Sequence, residues 1–194
     1  MKITDIELRM LRVPLKTPFK TALRTVDTVE DIVVLVRTDT GHTGHGEAPA
    51  TAVITGDTHG SIAEAIERFI KPRLIGQEIA NLNRICGLIQ GALERNTSAK
   101  AAVEIAVYDL WAQLYDAPLY KMLGGGDPVI TTDITISVDH IDKMVADSIS
   151  AVERGFDSLK IKVGKDIGLD IERVKARTHR RTRALGFARC EIQR

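Results

Sequence analysis

Ser158-Leu159-Lys160-Ile161-Lys162-Val163 narrows the fold more than any other stretch of this chain. Side chains alternate along a β-strand, so Leu159, Ile161 and Val163 share one face and the two lysines share the other, about 7 Å apart. Like charges held together and partly out of water favour loss of a proton from one of them. A lysine moved down from about 10.4 in this way can act as a base near neutral pH. A solvated edge strand, whose lysines discourage aggregation, fits the same spacing. Only 32 residues follow Lys162, which limits what can be built around it.

Upstream, Thr131 to Val138 alternates as well, with Ile134, Ile136 and Val138 on one face and Asp133, Thr135 and Ser137 on the other. Between the two strands, Asp139 to Arg154 carries Ile141, Val145, Ile149 and Val152 at helical spacing behind an acid-rich start. Gly155 stands where a C-terminal cap belongs. Strand-helix-strand units of this kind join by right-handed crossovers into parallel sheets, and the polar positions of both strands then face one site at their carboxyl ends.

The first half reads as a separate α+β domain. Lys2 to Val13 alternates toward Ile3, Ile6, Leu8 and Leu11, and Asp31 to Arg37 is a β-branched run suited to a strand buried on both sides. Gly41, Gly44 and Gly46 punctuate the turn that follows. Three helical patterns come next. Ile62, Ile66, Phe69 and Ile70 form the first, ending before Pro72, and Leu82, Ile85, Cys86, Ile89 and Leu93 form the second. In the third, Ala99, Ala102, Val103, Ala106, Val107, Leu110 and Leu114 make one apolar stripe behind a Ser98 cap.

Several stretches, taken in order, resemble the muconate lactonizing and mandelate racemase branch of the enolase superfamily, and within it the dipeptide epimerases. They are Gly44-His45-Gly46-Glu47-Ala48, Val53 to Thr58, Ser98 to Glu104, Tyr108-Asp109-Leu110, Pro118-Leu119-Tyr120 with Leu123-Gly124-Gly125, Thr132 to Ser137, and the Lys-x-Lys strand. The resemblance runs from Met1 to about Ala176. It implies an α+β capping domain over residues 1–125, then the first two β/α units of an incomplete (β/α) TIM-like barrel over 126–176. A full barrel takes about 250 residues, and fewer than 70 follow Gly126. Two strands cannot close one.

The last segment, 177–194, reads as an aberrant tail foreign to the family. It holds six of the sixteen arginines, none of the eleven lysines and one acid, Glu191. Residues 1–176 carry 21 basic and 25 acidic groups, net −4, while the tail carries 6 and 1, net +5, which the overall +1 conceals. The expectation is a truncated epimerase whose frame or sequence is disrupted near Ala176.

By resemblance, the intact enzyme is an isomerase that moves a proton at the carbon next to a carboxylate, inverting a residue within a dipeptide such as Ala-Glu. Such a proton is very weakly acidic, so a divalent ion, Mg²⁺ in the family, must stabilise the ene-diolate while a base sits on each face of the carbon. Carried over by motif, Lys162 is one base, Lys160 steadies the substrate carboxylate and depresses the pKa of Lys162, and Thr135 touches substrate. Arg24, in Thr17 to Thr25, matches a loop that closes over the site and pairs with an acidic side chain. The bland readings of these residues are a surface arginine, a β-former and an exposed charge. The family's metal ligands come from later strands, so no metal site is expected here: Glu191 lacks the Asp-x-Asn setting, and His42-x-x-His45 reads as a glycine turn. A cycloisomerase or o-succinylbenzoate synthase shares these marks, and a non-catalytic interaction fragment is the remaining alternative.

Other features set bounds. No apolar run is long enough for a membrane span and Met1 to Asp5 is no signal peptide, which suggests a cytoplasmic chain. Nucleic acid is not an expected partner; a dipeptide is, and assembly into a homo-oligomer stays open. Cys86 and Cys190 suggest no disulfide framework, Gly124-Gly125-Gly126 reads as a linker, and Trp111 with the few other aromatics reads as core.

Overall fold

The computed structural model describes residues 1–21, 23–127, 129–163, 166–181 and 189–193, with backbone alone for 176–181 and 189–193. Phe187 and the side chains of Cys190 and Glu191 lie outside the described residues. The chain divides into two compact units, Met1–Pro14 with Thr28–Asp127, and Leu15–Asp27 with Pro128–Arg194. The first unit ends at Asp127, just after the glycine run. The segment Leu15–Asp27, expected within the first domain, belongs instead to the second, because its tip makes its hydrogen bonds there.

The first unit is built on strands β1 (Ile3–Lys20), β2 (Thr25–Thr38) and β3 (Thr43–Pro49), in that order across the sheet. β2 and β3 are antiparallel, with Val34 opposite Gly46 and Val36 opposite Gly44. Ile32, Val34 and Val36 are buried while Val33 and Leu35 are half-buried, so β2 is covered fully on one face only. A strand covered on both faces was expected from the apolar run; antiparallel sheets commonly pack one face.

Helix α1 (His59–Glu64) passes through a π-helical stretch, Ala65–Ile70, into α2 (Lys71–Leu74). The helix therefore continues past Pro72 rather than ending before it. Proline cannot donate to the preceding turn and its ring crowds that turn's carbonyl; the widened turns just before it make room. Phe69, expected in the inner stripe, is exposed. Helix α3 (Leu82–Gln90) buries Ile85 and Ile89, and Leu93 lies beyond its end.

Helix α4 (Thr97–Leu114) buries Ala99, Ala102, Val103, Ala106, Val107 and Leu110 of the expected stripe, and Leu114 at its end is partly buried. Its cap differs from expectation. The N-cap is Asn96, and Ser98 instead donates its hydroxyl (2.5 Å) and its N–H (3.4 Å) to the buried Asp57 carboxylate, which thus supplies a negative charge at the helix start. Buried Lys100 of α4 donates to the Gln90 carbonyl (2.9 Å), at the end of α3 where a cation is favoured.

Gly44 and Gly46 do not belong to a turn. They lie in β3, and a Cβ on either would stand 2.1 Å from the Ala106 oxygen or 1.9 Å from the Ala102 oxygen. Strand backbone and helix backbone meet here, which only glycine permits. Gly41, with φ +82, is the turn residue. Trp111 is partly buried rather than core. It stands edge-on to Tyr108 (6.3 Å) and Tyr115 (5.9 Å) along α4, and Tyr115 is exposed. After the short α5 (Leu119–Met122), Gly124, Gly125 and Gly126 all have positive φ.

The second unit has a three-stranded parallel sheet, β4 (Ile134–Ile136), β5 (Ser158–Lys162) and β6 (Arg189–Gln193), with β5 in the centre. Helices α6 (Ile141–Glu153) and α7 (Ile167–Arg181) complete it. Two strands were expected; the third forms from tail residues, whose backbone pairs along the free edge of β5. Leu159, Ile161 and Val163 join Ile136, Met144 and Ala151 in a core separate from that of the first unit. The buried stripe of α6 is Met144, Val145, Ser148 and Ala151, with Ile149 exposed, so it is rotated from the expected one. Ser148 fits because its hydroxyl donates to the Met144 carbonyl (2.5 Å). Gly155 (φ +93) ends α6: its N–H reaches the Val152 carbonyl and that of Phe156 reaches Ala151, a Schellman pair. Among the described residues, no helix is long and apolar enough to cross a membrane.

Candidate active site

The polar positions of β4 and β5 meet as the alternation requires. Thr135 pairs with Lys160 in the register, as Ile136 pairs with Ile161, so Thr135 and Lys160 stand side by side on one face, about 4.8 Å apart at the backbone. Lys162 follows on the same face at the carboxyl end of β5. All three are half-buried, whereas Leu159 and Ile161 on the opposite face are fully buried. β5 is also not an edge strand, having β4 on one side and β6 on the other. Guarding an open edge therefore does not account for its two lysines.

Arg24 comes from far away in sequence. β1 and β2 run into the second unit as a hairpin whose tip closes through Thr21. The Thr21 N–H donates to the Arg24 carbonyl (2.9 Å), and the Thr21 hydroxyl oxygen accepts the N–H groups of Leu23 (3.2 Å) and Arg24 (3.1 Å). Arg24 is half-buried there, while Leu23 is exposed. One residue before this turn, Lys20 binds the segment that leaves β4. Its N–H donates to Ser137 Oγ (3.3 Å), its carbonyl accepts from the Val138 N–H (3.2 Å), and its Nζ donates to Asp139 Oδ2 (2.6 Å). Ser137 follows Ile136 as Lys162 follows Ile161, so the hairpin is pinned at the level of Lys162. The four residues singled out in the sequence thus lie on elements that converge at the carboxyl end of this sheet.

Lys20, Ser137 and Asp139 were missed as site residues. The sequence places Asp139 at an acid-rich helix start, but α6 begins at Ile141. The Asp139 carboxyl is held below the usual carboxylate range, first by the Lys20 ammonium and then by the His140 N–H. The signal available beforehand was the alternation of Ser137 with Thr135, which aims its hydroxyl at the polar face.

The histidines are placed apart. His42 Nδ1 is 3.0 Å from Thr40 Oγ1, while His45, on β3 rather than in the turn, has both its N–H (3.0 Å) and Nδ1 (3.3 Å) at Asp109 Oδ2. Among the described residues no three His, Cys, Asp or Glu groups are grouped to hold a metal ion. The polar face of β4 and β5 offers hydroxyls and ammonium groups, which suit an anion and repel a cation. Mg²⁺ does not fit that donor set. Glu191 takes the β6 position beside Lys160 in the register.

Residues 4–124 match the family described as mandelate racemase / muconate lactonizing enzyme, N-terminal domain. The L-Ala-D/L-Glu epimerase of Bacillus subtilis is 51% identical over 176 residues, 90% of this chain and 48% of that protein. The L-Ala-D/L-Glu epimerase of Clostridium acetobutylicum is 50% identical over 175 residues, 90% of this chain and 49% of that protein. The substrate-liganded structure of the Bacillus subtilis enzyme superposes with a TM-score of 0.94 at 47% identity, covering 99% of this chain and 53% of that one. A dipeptide epimerase from Enterococcus faecalis, complexed with Mg and L-Leu-L-Tyr, gives a TM-score of 0.91 at 36% identity over 99% of this chain and 53% of that one. The chain spans about half the length of the curated relatives it matches. Its relatives include named epimerases and a racemase, and with the family match extending over most of its first unit, this chain belongs to the mandelate racemase / muconate lactonizing enzyme family.

Proposed function

We propose that this chain carries the capping and first-base half of a dipeptide epimerase acting on a peptide with an acidic residue, of the Ala-Glu kind. The observation that carries the reading is the shared polar face of Thr135, Lys160 and Lys162 with the Arg24 hairpin pinned at its end. Lys162, as the neutral amine, takes the α-proton, and the electron pair left on carbon spreads into the adjoining carboxylate. Lys160 faces that growing charge, Thr135 hydrogen-bonds the bound peptide, and the Arg24 guanidinium receives the side-chain carboxylate. Inversion needs a proton delivered to the opposite face, so this chain supplies one of two bases. Mg²⁺ enters this reading through the Enterococcus faecalis relative, which is complexed with Mg, and would be held by the strands that follow in the parent enzyme and not by the residues of this face. A cycloisomerase is the second reading because a muconate lactonizing enzyme from mycobacteria shares the fold at 29% identity, but the Bacillus subtilis epimerase stands at 51%.

We further infer that 177–194 is foreign to the family: the two relatives at about half identity match over 175 or 176 residues, and the composition of the tail is unlike the rest. Resequencing the coding region past Ala176 tests this, and a coding sequence that yields the same tail in repeated reads overturns the frame explanation.

The functional test is a chimera in which the Bacillus subtilis enzyme's corresponding C-terminal half replaces residues 177–194. In D₂O with Mg²⁺ it is expected to place deuterium at the Glu α-carbon of L-Ala-L-Glu, and Lys162→Ala to lower that rate by roughly 10²–10⁴. A folded chimera that binds the peptide without exchange refutes the assignment of Lys162. The 194-residue chain alone is expected to give no exchange above its own Lys162→Ala variant, and steady exchange would contradict the half-site reading.

A further inference from the structure

Among the described residues, Lys20 ties the hairpin that bears Arg24 to the strand end, and its three bonds there are unequal. Two use only the Lys20 backbone, its carbonyl accepting from the Val138 N–H (3.2 Å) and its N–H donating to Ser137 Oγ (3.3 Å), and any residue but proline at position 20 could make both. The third is the 2.6 Å ion pair to Asp139, which depends on both side chains.

Asp139 is itself held from three sides. Its Oδ1 accepts the His140 N–H (2.9 Å), and its carbonyl accepts Arg173 Nε (3.2 Å) from α7. Arg173 also donates to Asp170 Oδ1 (2.8 Å), and both side chains of that pair are nearly buried. The Asp139 backbone is therefore tied to α7 and its carboxylate to the His140 N–H, while the hairpin reaches that carboxylate from a tip whose Leu23 is exposed. From Lys20 the order passes through Thr21, whose N–H and hydroxyl fix both the carbonyl and the N–H of Arg24.

We propose that Asp139 is a positioning residue: through Lys20 it fixes the turn at 21–24, and so sets where the Arg24 guanidinium stands beside the carboxyl ends of β4 and β5. This rests on the reading that Arg24 receives an acidic side chain, and it makes Asp139 a determinant of preference for that side chain without touching substrate. A guanidinium fork recognises a carboxylate only in a narrow geometry, so loosening its support costs selectivity for acidic peptides before it costs general affinity.

The test uses the full 194-residue chain and its variants Asp139→Asn, Asp139→Glu, Lys20→Met and the Lys20→Met/Asp139→Asn double. Amide exchange is followed at Lys20 and Val138, the amides that bridge hairpin and strand end, and at Ile161 in the core. Each single removal of charge is expected to speed exchange at Lys20 and Val138 about fivefold while leaving Ile161 unchanged, a modest size because the pair is partly solvated. The double variant is expected to add nothing further, and Asp139→Glu to recover part of the protection. Wild-type exchange in Asp139→Asn overturns the proposal, and so does acceleration at Ile161 by the same factor, which makes Asp139 a general stabiliser of the unit. Binding of L-Ala-L-Glu and L-Ala-L-Gln is then followed on the Arg24 Nε–H resonance. Asp139→Asn is expected to weaken the acidic peptide severalfold and the neutral one hardly at all; equal weakening of both overturns the selectivity role. Should the wild-type chain bind both peptides equally, the reading of Arg24 fails, while exchange at Lys20 and Val138 still decides whether Asp139 holds the hairpin.

Discussion

Gly46→Ala tests the packing on which the first unit depends. In the structure an added Cβ stands 1.9 Å from the Ala102 carbonyl oxygen, 2.9 Å from its carbon and 3.2 Å from the Ala106 nitrogen. A relaxed carbon-to-oxygen contact is about 3.3 Å or more, so β3 and α4 must part by roughly 1.4 Å at that point. The obstacle is helix backbone, which cannot turn aside as the end of a side chain can. A gap of 0.5–1 Å already forfeits about a quarter to a half of each dispersion contact along the seam. Ala102, Ala106 and Leu110 on this seam are fully buried, as are Val34 and Val36, the β2 partners of Gly46 and Gly44. Overpacking costs about 1–3 kcal/mol, and a backbone obstacle places this variant near the top, about 3 kcal/mol. For a chain of this size that lowers the melting temperature by roughly 6–12 °C. Trp111, the one tryptophan, lies on α4, so its fluorescence reports the loss directly. Gly87→Ala is the control: it lies within α3, meets nothing within 4 Å, and is expected to stabilise by about 0.5–1 kcal/mol. If Gly46→Ala melts within about 2 °C of the parent chain, the direct contact of strand and helix backbones is wrong.

The same unit supports three further expectations. Asp57→Ala removes the carboxylate that receives both Ser98 groups at the start of α4, and urea unfolding is expected to show a loss of about 1–2 kcal/mol. The Cys86 thiol is pushed up to about 11, first by burial and then by the neighbouring Glu104 carboxylate. Iodoacetamide at pH 8, read by peptide mapping, is therefore expected to label Cys86 on the order of 100-fold more slowly than it does in the urea-unfolded chain. The Asp5 carboxyl is lowered chiefly by its bond to Lys71, and that ammonium is raised in turn by Asp5. For the acid, stability is present above about pH 4 and is lost as pH falls through the lowered folded value; for the lysine, it is present below about pH 10.4 and lost as pH rises through the raised one. Thermal melts against pH are expected to fall at both ends, and Asp5→Asn to flatten both limbs; unchanged limbs in that variant would assign the dependence to other groups.

What could be read from the sequence follows the distance over which each cause acts. The Lys-x-Lys face and its buried partner face are set by a two-residue period, and the α4 stripe by a period of three to four, so both appear locally. Gly155 ends a helix by its own backbone freedom. The roles of Gly44 and Gly46 depend on a helix some sixty residues later, and a glycine read alone suggests a turn. The assignment of Leu15–Asp27 to the second unit depends on Lys20 and Asp139, which are 119 residues apart, and nothing in either segment announces the other. The rotated stripe of α6 was hidden because Ser148 satisfies its own hydroxyl on the helix, which makes a polar residue fit for burial.

The lysine pair can be tested apart from any reaction, because function and stability make opposite demands on it. Lys160 and Lys162 put two ammonium groups about 7 Å apart on a half-buried face of a central strand, where a fold selected for stability alone would place threonine or valine. Their mutual repulsion is on the order of 1 kcal/mol at that distance between the dielectric of water and that of a protein surface. Lys160→Thr is therefore expected to leave the second unit at least as stable as the parent, by up to about 1 kcal/mol in urea, while the affinity for acetate or a dipeptide carboxylate falls. A purely structural pair gives the reverse: Lys160→Thr then lowers stability, and carboxylate affinity, weak in both chains, does not change. Loss of affinity at unchanged or raised stability is the pattern that only an anion-receiving face produces.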